Sequence, residues 1–323
     1  MEFLADLVLL TDSTLRIATP LILTALAGLV AERAGIVDIG LEGKMLASAF
    51  AAGATAAVTG SPWLGLLAGI LSSVVLALLH AYVSIAQRGN QIVSGMAINI
   101  AVAGAAPTLA NFWFRKGGQT PLLSDESRFS AITLPFADTV ADVPLIGALY
   151  SDIISGHNLI TYLTVLIVPA VAWMLYKTRF GLRLRAVGEN PEAVDTAGIS
   201  VSALRYQAMI IAGVLCGFAG TVLSTGLGAG FIRDMSAGKG YLALAAMIFG
   251  KWKPVPTLLA CLLFGFVDAL QGRLQGIELP LIGEIPVQFT IMLPYVLTVI
   301  ILAGFVGRIQ APRASGIPYQ KDR

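Results

Sequence analysis

Charge is scarce in this chain of 323 residues. Asp, Glu, Lys and Arg together make up 12%, about half of the ~25% usual in soluble globular proteins. So few charged groups cannot cover the surface of a soluble body of this size, and the chain reads as an integral membrane protein. There are only two histidines and two cysteines, which leaves little for metal or nucleophile–base chemistry. Cys216 and Cys261 both sit inside apolar runs without metal-ligand or disulfide spacing, so they read as small hydrophobes. The net charge of +2 is too small to suggest a nucleic-acid partner. No GxxxxGK[ST] phosphate-binding loop occurs. The leading segment lacks the basic start of a cleaved signal. It carries Glu2, Asp6 and Asp12 among apolar residues, the pattern of an interfacial helix.

Apolar runs dominate what is present, and 56% of residues are hydrophobic. A bilayer-spanning helix needs about 20 mostly apolar residues. Nine stretches fit: roughly 15–31, 43–60, 63–86, 91–113, 158–176, 203–226, 240–250, 255–272 and 287–306. The seventh is short, as if it began earlier in a broken helix. The predicted fold is all-α and polytopic. Lys177, Arg179, Arg183 and Arg185, the pair Lys251 and Lys253, and the tail with Arg308, Arg313, Lys321 and Arg323 fall on one side of nine alternating spans. Arg88 and the segment with Arg33 and Lys44 join them, which places the N-terminus outside and the C-terminus in the cytoplasm. Arg115 and Lys116 run against this trend. Trp63, Trp113, Trp173 and Trp252 lie near predicted span ends, as interfacial anchors do.

The chain also resembles itself. Pro62, Leu66, Leu67, Ala68, Leu71, Val75, Ala77 and Leu78 recur as Pro254, Leu258, Leu259, Ala260, Leu263, Val267, Ala269 and Leu270 at a constant offset of 192 residues. Gly43-Lys44 and Gly238-Lys239 precede the two copies, and Ala27-Gly28 and Ala219-Gly220 precede those. Two four-helix repeats, about 15–113 and 203–306, would be separated by a single linking span at about 158–176. An odd linker makes the repeats inverted, which is a transporter signature. The whole chain, 1–323, is then one transmembrane domain with a cytoplasmic loop at about 177–202.

Two segments stand apart from this pattern. Glu32-Arg33-Ala34-Gly35-Ile36-Val37-Asp38-Ile39-Gly40-Leu41-Glu42-Gly43 is glycine-rich between two apolar runs. It reads either as a re-entrant or broken-helix element, lining a cavity or buried in protein, or as an ordinary interfacial turn. In the loop 177–202, Asn190 is a good N-cap, Pro191 a good first helical residue, Glu192 complements the helix dipole and Gly198 suits the stop. A short helix over about 191–197 is predicted. It is either a docking surface or a solvated loop helix.

The motifs ERAGIVDIGLEG and GLRLRAVGENPEAVDTAGI, in this order, resemble permease subunits of bacterial ABC importers. The branch is the one of branched-chain amino-acid, simple-sugar and nucleoside permeases, and the first motif and NQIVSGMAINI are most similar to nucleoside-type members. Many relatives have Asn where this chain has Asp38. The resemblance covers most of the chain. It implies a multi-pass inner-membrane subunit that is not itself an enzyme and carries no cofactor of its own. ATP-Mg would be held by a separate cytoplasmic ATPase. A second permease, identical or paralogous, and a periplasmic or lipid-anchored binding protein would complete the importer. The resemblance further implies that the short helix couples to the ATPase through Gly188, Glu189, Asn190, Pro191, Ala193, Ala197 and Gly198.

Polar groups inside spans tend to face a cavity or the bundle interior. Gln91, Ser94, Asn99 and Asp268 are the candidate translocation-path residues. Amides suit a neutral nucleoside, purine-like solute or simple sugar. Each has a structural alternative: Asn99 as an interhelical hydrogen bond, Asp268 as a partner of Arg273. His80 reads as a satisfied packing residue, and Gly213, Gly217 and Gly220 as a close helix contact. The alternative function is a secondary transporter driven by an ion gradient, for which only Asp268 is a candidate coupling group. Ser72, Ser73 and His80 give too few clues for an intramembrane peptidase.

Overall fold

A computed structural model describes residues 2–140, 147–274, 278–279, 283–284, 288, 292–293, 296–297, 299–300 and 310–321. The chain is mostly helical. Its principal helices are α1 (Glu2–Arg33), α2 (Leu41–Thr59), α3 (Pro62–Ala81), α4 (Gln91–Phe114), α5 (Leu159–Lys177), α6 (Arg179–Glu189), α7 (Pro191–Thr196), α8 (Val201–Thr221), α9 (Lys239–Phe249) and α10 (Pro254–Leu274). Single π turns, Tyr82–Ala86 and Val222–Leu227, extend α3 and α8. Among the described residues, six helices are long and apolar enough to cross a membrane: α1, α3, α4, α5, α8 and α10. The predicted span at 287–306 lies mostly outside the described residues.

Local sequence explains where the helices begin. Ser61, Asn90, Asn158, Thr178, Asn190 and Ser200 each accept a hydrogen bond from a backbone N–H of the first turn that follows. This satisfies donors that have no partner within the helix. Pro62 and Pro191 occupy first positions, where a missing N–H costs nothing. Gly60 closes α2 in the left-handed conformation at φ 71°.

Burial sorts the helices by depth. α1 and α8 are buried over 83% and 78% of their spans, whereas α3, α4, α5 and α10 are buried over only about a third or less. The last four therefore carry much of the exposed apolar surface. α2 is almost wholly enclosed by α3, α4, α8 and α9, and it is built largely from Ala, Gly and Ser. A helix whose neighbours are all protein gains more from close approach than from apolar bulk. The most extensive contacts are those of α3 with α8 and with α2, and of α1 with α10. Glycine permits the close approach of α8 to α3 and of α1 to α10. A Cβ on Gly217 would stand 2.6 Å from the Ile70 Cα, one on Gly213 2.8 Å from the Val74 Cα, and one on Gly265 2.8 Å from the Ala18 Cβ. Cys216 and Cys261 are buried and unpaired, as expected of small hydrophobes.

Several expectations are corrected. The leading segment is no separate interfacial helix, because it runs without a break into α1. α9 does not begin earlier as a broken helix: residues 228–238 form turns and extended chain. Trp63, Trp113 and Trp173 are exposed near helix ends, but Trp252 is buried at 4% exposure. Lys44 is no loop cation either. It lies inside the bundle with no exposed surface.

Candidate functional site

The glycine-rich segment breaks the helical path. α1 stops at Arg33, residues 36–38 are non-helical, and α2 starts at Leu41. Exposed backbone at this depth needs partners, and side chains from three helices, α3, α4 and α8, supply them. Gln91 Oε1 accepts from Val37 N at 2.7 Å. His80 bonds the Val37 carbonyl through Nε2 (3.1 Å) and meets the Ser94 hydroxyl through Nδ1 (3.0 Å). Asn99 accepts from Gly43 N at 2.8 Å and donates to Ile39 O and to the Tyr241 hydroxyl at 2.9 and 3.0 Å. Arg205, 1% exposed, donates from Nε to Ala34 O at 3.1 Å. Gly95 lets α4 come this close, since a Cβ there would meet Gly40 N at 2.8 Å.

A charge pair is sealed inside this segment. Asp38 Oδ2 is bonded to Lys44 Nζ, and both side chains are fully buried. His80 Nε2 stands 4.0 Å from the other Asp38 oxygen. The acid at position 38 is thus matched within the chain by Lys44, one turn into α2.

Glu42 joins the two halves of the molecule. Its carboxylate accepts from Gly238 N at 2.9 Å and Gly240 N at 2.6 Å, capping the positive end of α9. Glu32 accepts from Trp252 Nε1 at 2.6 Å, and Arg33 donates twice to Trp252 O at 2.9 and 2.7 Å. These bonds hold a turn in which Lys251 and Trp252 both have positive φ, 52° and 53°. Such residues cost roughly 1–3 kcal/mol each and persist only where the surroundings enforce them.

Beside Asn99 opens a cavity of about 340 Å³, lined by Glu42, Asn99, Ile100, Asp234, Ser236 and Tyr241 among others. This volume is at the lower end of the ~300–1,000 Å³ of small-molecule sites. Its wall mixes hydroxyl, amide and carboxylate groups with aliphatic surface.

The structure thus brings Gln91, Ser94 and Asn99 together around residues 37–43 and leaves Asp268 out of that cluster. Asp268 pairs with Lys239 at 3.5 Å, while Arg273, its expected partner, reaches Asp6 at 3.2 Å. Of the three, Asn99 lines the cavity, and both its amide nitrogen and its oxygen are engaged between helices. Glu42, Tyr241, Asp234 and Ser236 were not singled out from sequence. Glu42 carried a readable signal, being a carboxylate of the ERAGIVDIGLEG motif immediately before the predicted span at 43–60.

The predicted surface helix is α7. Asn190 Oδ1 accepts from Ala193 N at 3.1 Å, and Gly198 follows at φ 77°. Val194 is buried against Val187, Val201 and Leu204, which fixes the helix to the bundle. Glu189, Asn190, Ala193, Ala197 and Gly198 are exposed, and Pro191 is half-buried. Gly188 is buried, and a Cβ there would collide with the Arg33 carbonyl. The tail runs past the same point, with Ala314 N donating to Gly188 O at 2.8 Å and Gly316 N to Gly35 O at 3.2 Å.

Residues 10–310 match the family described as branched-chain amino acid transport system / permease component. The chain belongs to that permease family. It is 38% identical to the guanosine ABC transporter permease protein of Bacillus subtilis, with all of both chains covered. A nucleoside ABC transporter permease protein of Lactococcus lactis is 37% identical, again over the full length of both. A putative glucose ABC transporter permease protein of Haloferax volcanii is 34% identical over 97% of this chain and 95% of its own. No solved structure matches the chain. The permease is therefore a multi-pass membrane subunit of an ABC importer and not a catalytic enzyme, and nothing favours a secondary transporter. Membership implies an ATPase and a substrate-binding protein as partners.

Proposed function

We propose that the permease carries nucleosides or related purine-like solutes into a bacterial cell across its inner membrane, with simple sugars the next candidates. The observation that carries this reading is the 340 Å³ cavity, whose wall sets the Asn99 carboxamide and the Tyr241 hydroxyl, neutral polar groups, beside aliphatic surface, a lining suited to a polyhydroxylated or nucleobase ligand. The guanosine and nucleoside permeases among the relatives support it, and the putative glucose permease supports the sugar alternative. Gln91 and Ser94 set the backbone of this path from behind. Asp268, paired with Lys239, flanks it.

Nine spans in one domain, 1–323, are proposed: eight from α1–α5 and α8–α10, and the ninth at about 287–306. The N-terminus lies outside, and α6, α7 and the tail lie in the cytoplasm with their basic residues. Two inverted repeats, about 15–113 and 203–306, are joined by α5. The packing supports this symmetry. The first helix of each repeat, α1 or α8, lies against the third helix of the other, α10 or α3.

A second permease subunit, identical or paralogous, completes the path. The cytoplasmic ATPase binds and hydrolyses ATP-Mg and seats on α7 through Gly188, Glu189, Asn190, Pro191, Ala193, Ala197 and Gly198. A periplasmic or lipid-anchored binding protein delivers the solute. The test is to recover the complex from native membranes, identify the ATPase and binding protein, and measure ATP-dependent uptake of labelled nucleosides and sugars in proteoliposomes. Nucleoside uptake that requires ATP is expected. Uptake that persists without ATP and follows an ion gradient would overturn the proposal.

A further inference from the structure

On the α7 end of the bundle lies a polar cleft of about 550 Å³, walled by Arg33, Glu189, Lys251, Lys253 and Arg313 among others. Four cations face one carboxylate. Arg33 is committed to Trp252 O. Lys251, Lys253 and Arg313 are exposed, and among the described residues no carboxylate pairs with them.

The lysines are not displayed by chance folding of a slack loop. Lys251 and Trp252 sit in the left-handed region, and the buried Trp252 indole is locked to Glu32. The backbone is thereby held in one arrangement, with a lysine projecting on either side of a buried anchor. Enforced strain of this kind calls for an explanation in function. The acid–base pair that opens the ERAGIVDIGLEG motif is what enforces it.

The cleft is also continuous with the coupling segment. Glu189 lines it and directly precedes Asn190, the N-cap of α7, and the tail wall is tied on through Ala314 N to Gly188 O. We propose that this cleft is a second docking site for the ATPase and takes an acidic side-chain cluster of that subunit while α7 seats beside it. The cationic wall suits any acidic ligand, and continuity with α7 is what favours the ATPase over a lipid headgroup. This inference rests on the reading of α7 as the coupling helix.

The test uses the permease complex in nanodiscs of phosphatidylcholine alone, with ATPase recovered from the same membranes and purified. Wild-type ATPase binding should weaken as salt rises from about 0.05 to 0.5 M. K251E/K253E should weaken binding by about tenfold or more at low salt and flatten the salt dependence. R313Q, a milder change, should weaken it less and in the same direction. Salt-independent wild-type binding would overturn the proposal without any variant. So would wild-type affinity in K251E/K253E, or a defect that emerges only in discs containing phosphatidylglycerol, which would mark a lipid site. Ala193→Arg separates the two ideas: it should weaken binding while leaving the salt dependence intact. If A193R binds as wild type, it is the α7 reading that fails.

Discussion

Lys44→Met isolates the buried charge pair. The substitution keeps most of the side-chain volume and removes the one cation that, among the described residues, is bonded to Asp38, leaving a carboxylate with no exposed surface. Removing one member of a buried pair typically costs about 3–5 kcal/mol, mostly from stranding the other charge. Asp38→Asn strands the ammonium instead and should cost a comparable amount. The double variant Asp38→Asn with Lys44→Met strands neither charge and should recover most of the loss, because a buried pair contributes little net stability against a neutral replacement. The assay is the fraction of each protein that stays monodisperse after graded heating in detergent, read by size-exclusion chromatography. The expected order is wild type and double variant close together, with both single variants well below. A K44M protein as stable as wild type, or a double variant no better than either single, would refute the argument. His80 supplies an internal control. It stands 4.0 Å from Asp38 but is bonded to Val37 O and Ser94, so His80→Gln should cost less than K44M.

Other outcomes follow from single contacts. Asn99→Leu removes three hydrogen bonds and a polar wall of the cavity; uptake should fall at least several-fold while the complex still assembles on native gels. Ala193→Arg should leave the permease folded but cut substrate-stimulated ATP hydrolysis, measured as phosphate release. Gly217→Leu drives a side chain into the Ile70 backbone and should cost well over about 1–3 kcal/mol, seen as loss of monodisperse protein at expression. Arg205→Met leaves the Ala34 and Ile317 carbonyls unpaired and should lower stability by about 1–3 kcal/mol, measured as a fall in melting temperature.

The start of α7 was legible because a cap is a local device. Asn190 acts on an N–H group three residues away, and reading along the chain finds it. Asn90 and Asn158 act in the same local way on α4 and α5, though they were not read as caps from the sequence. Partners across the bundle were not legible. Glu42 and Gly238 are 196 residues apart, and Glu32 and Trp252 are 220 apart. A hydrophobic pattern gives a helix its position and its lipid-facing side without saying which helix lies opposite. Lys44 illustrates the limit. Next to a predicted boundary it counted as a loop cation, and only the fold back of residues 34–40 buries it against Asp38. Trp252 was misjudged for the same reason. A tryptophan at a helix end resembles an interfacial anchor until a distant carboxylate claims its N–H.

The pairing of α1 with α10 sets an order of events in biosynthesis. α10 begins about 220 residues after α1 ends, so α1 enters the bilayer long before its main neighbour has been translated. Throughout that interval the face of α1 that comes to rest on α10 has no partner from that helix. The sequence of α1 equips it to wait. Thr14 and Thr19 each donate their hydroxyl to the carbonyl four residues earlier, at 2.7 and 2.8 Å, so neither hydroxyl depends on a later helix for a partner. α1 can therefore dwell alone in hydrocarbon and then exchange lipid for α10 without breaking either bond. Final assembly of the first half is deferred until the second half arrives.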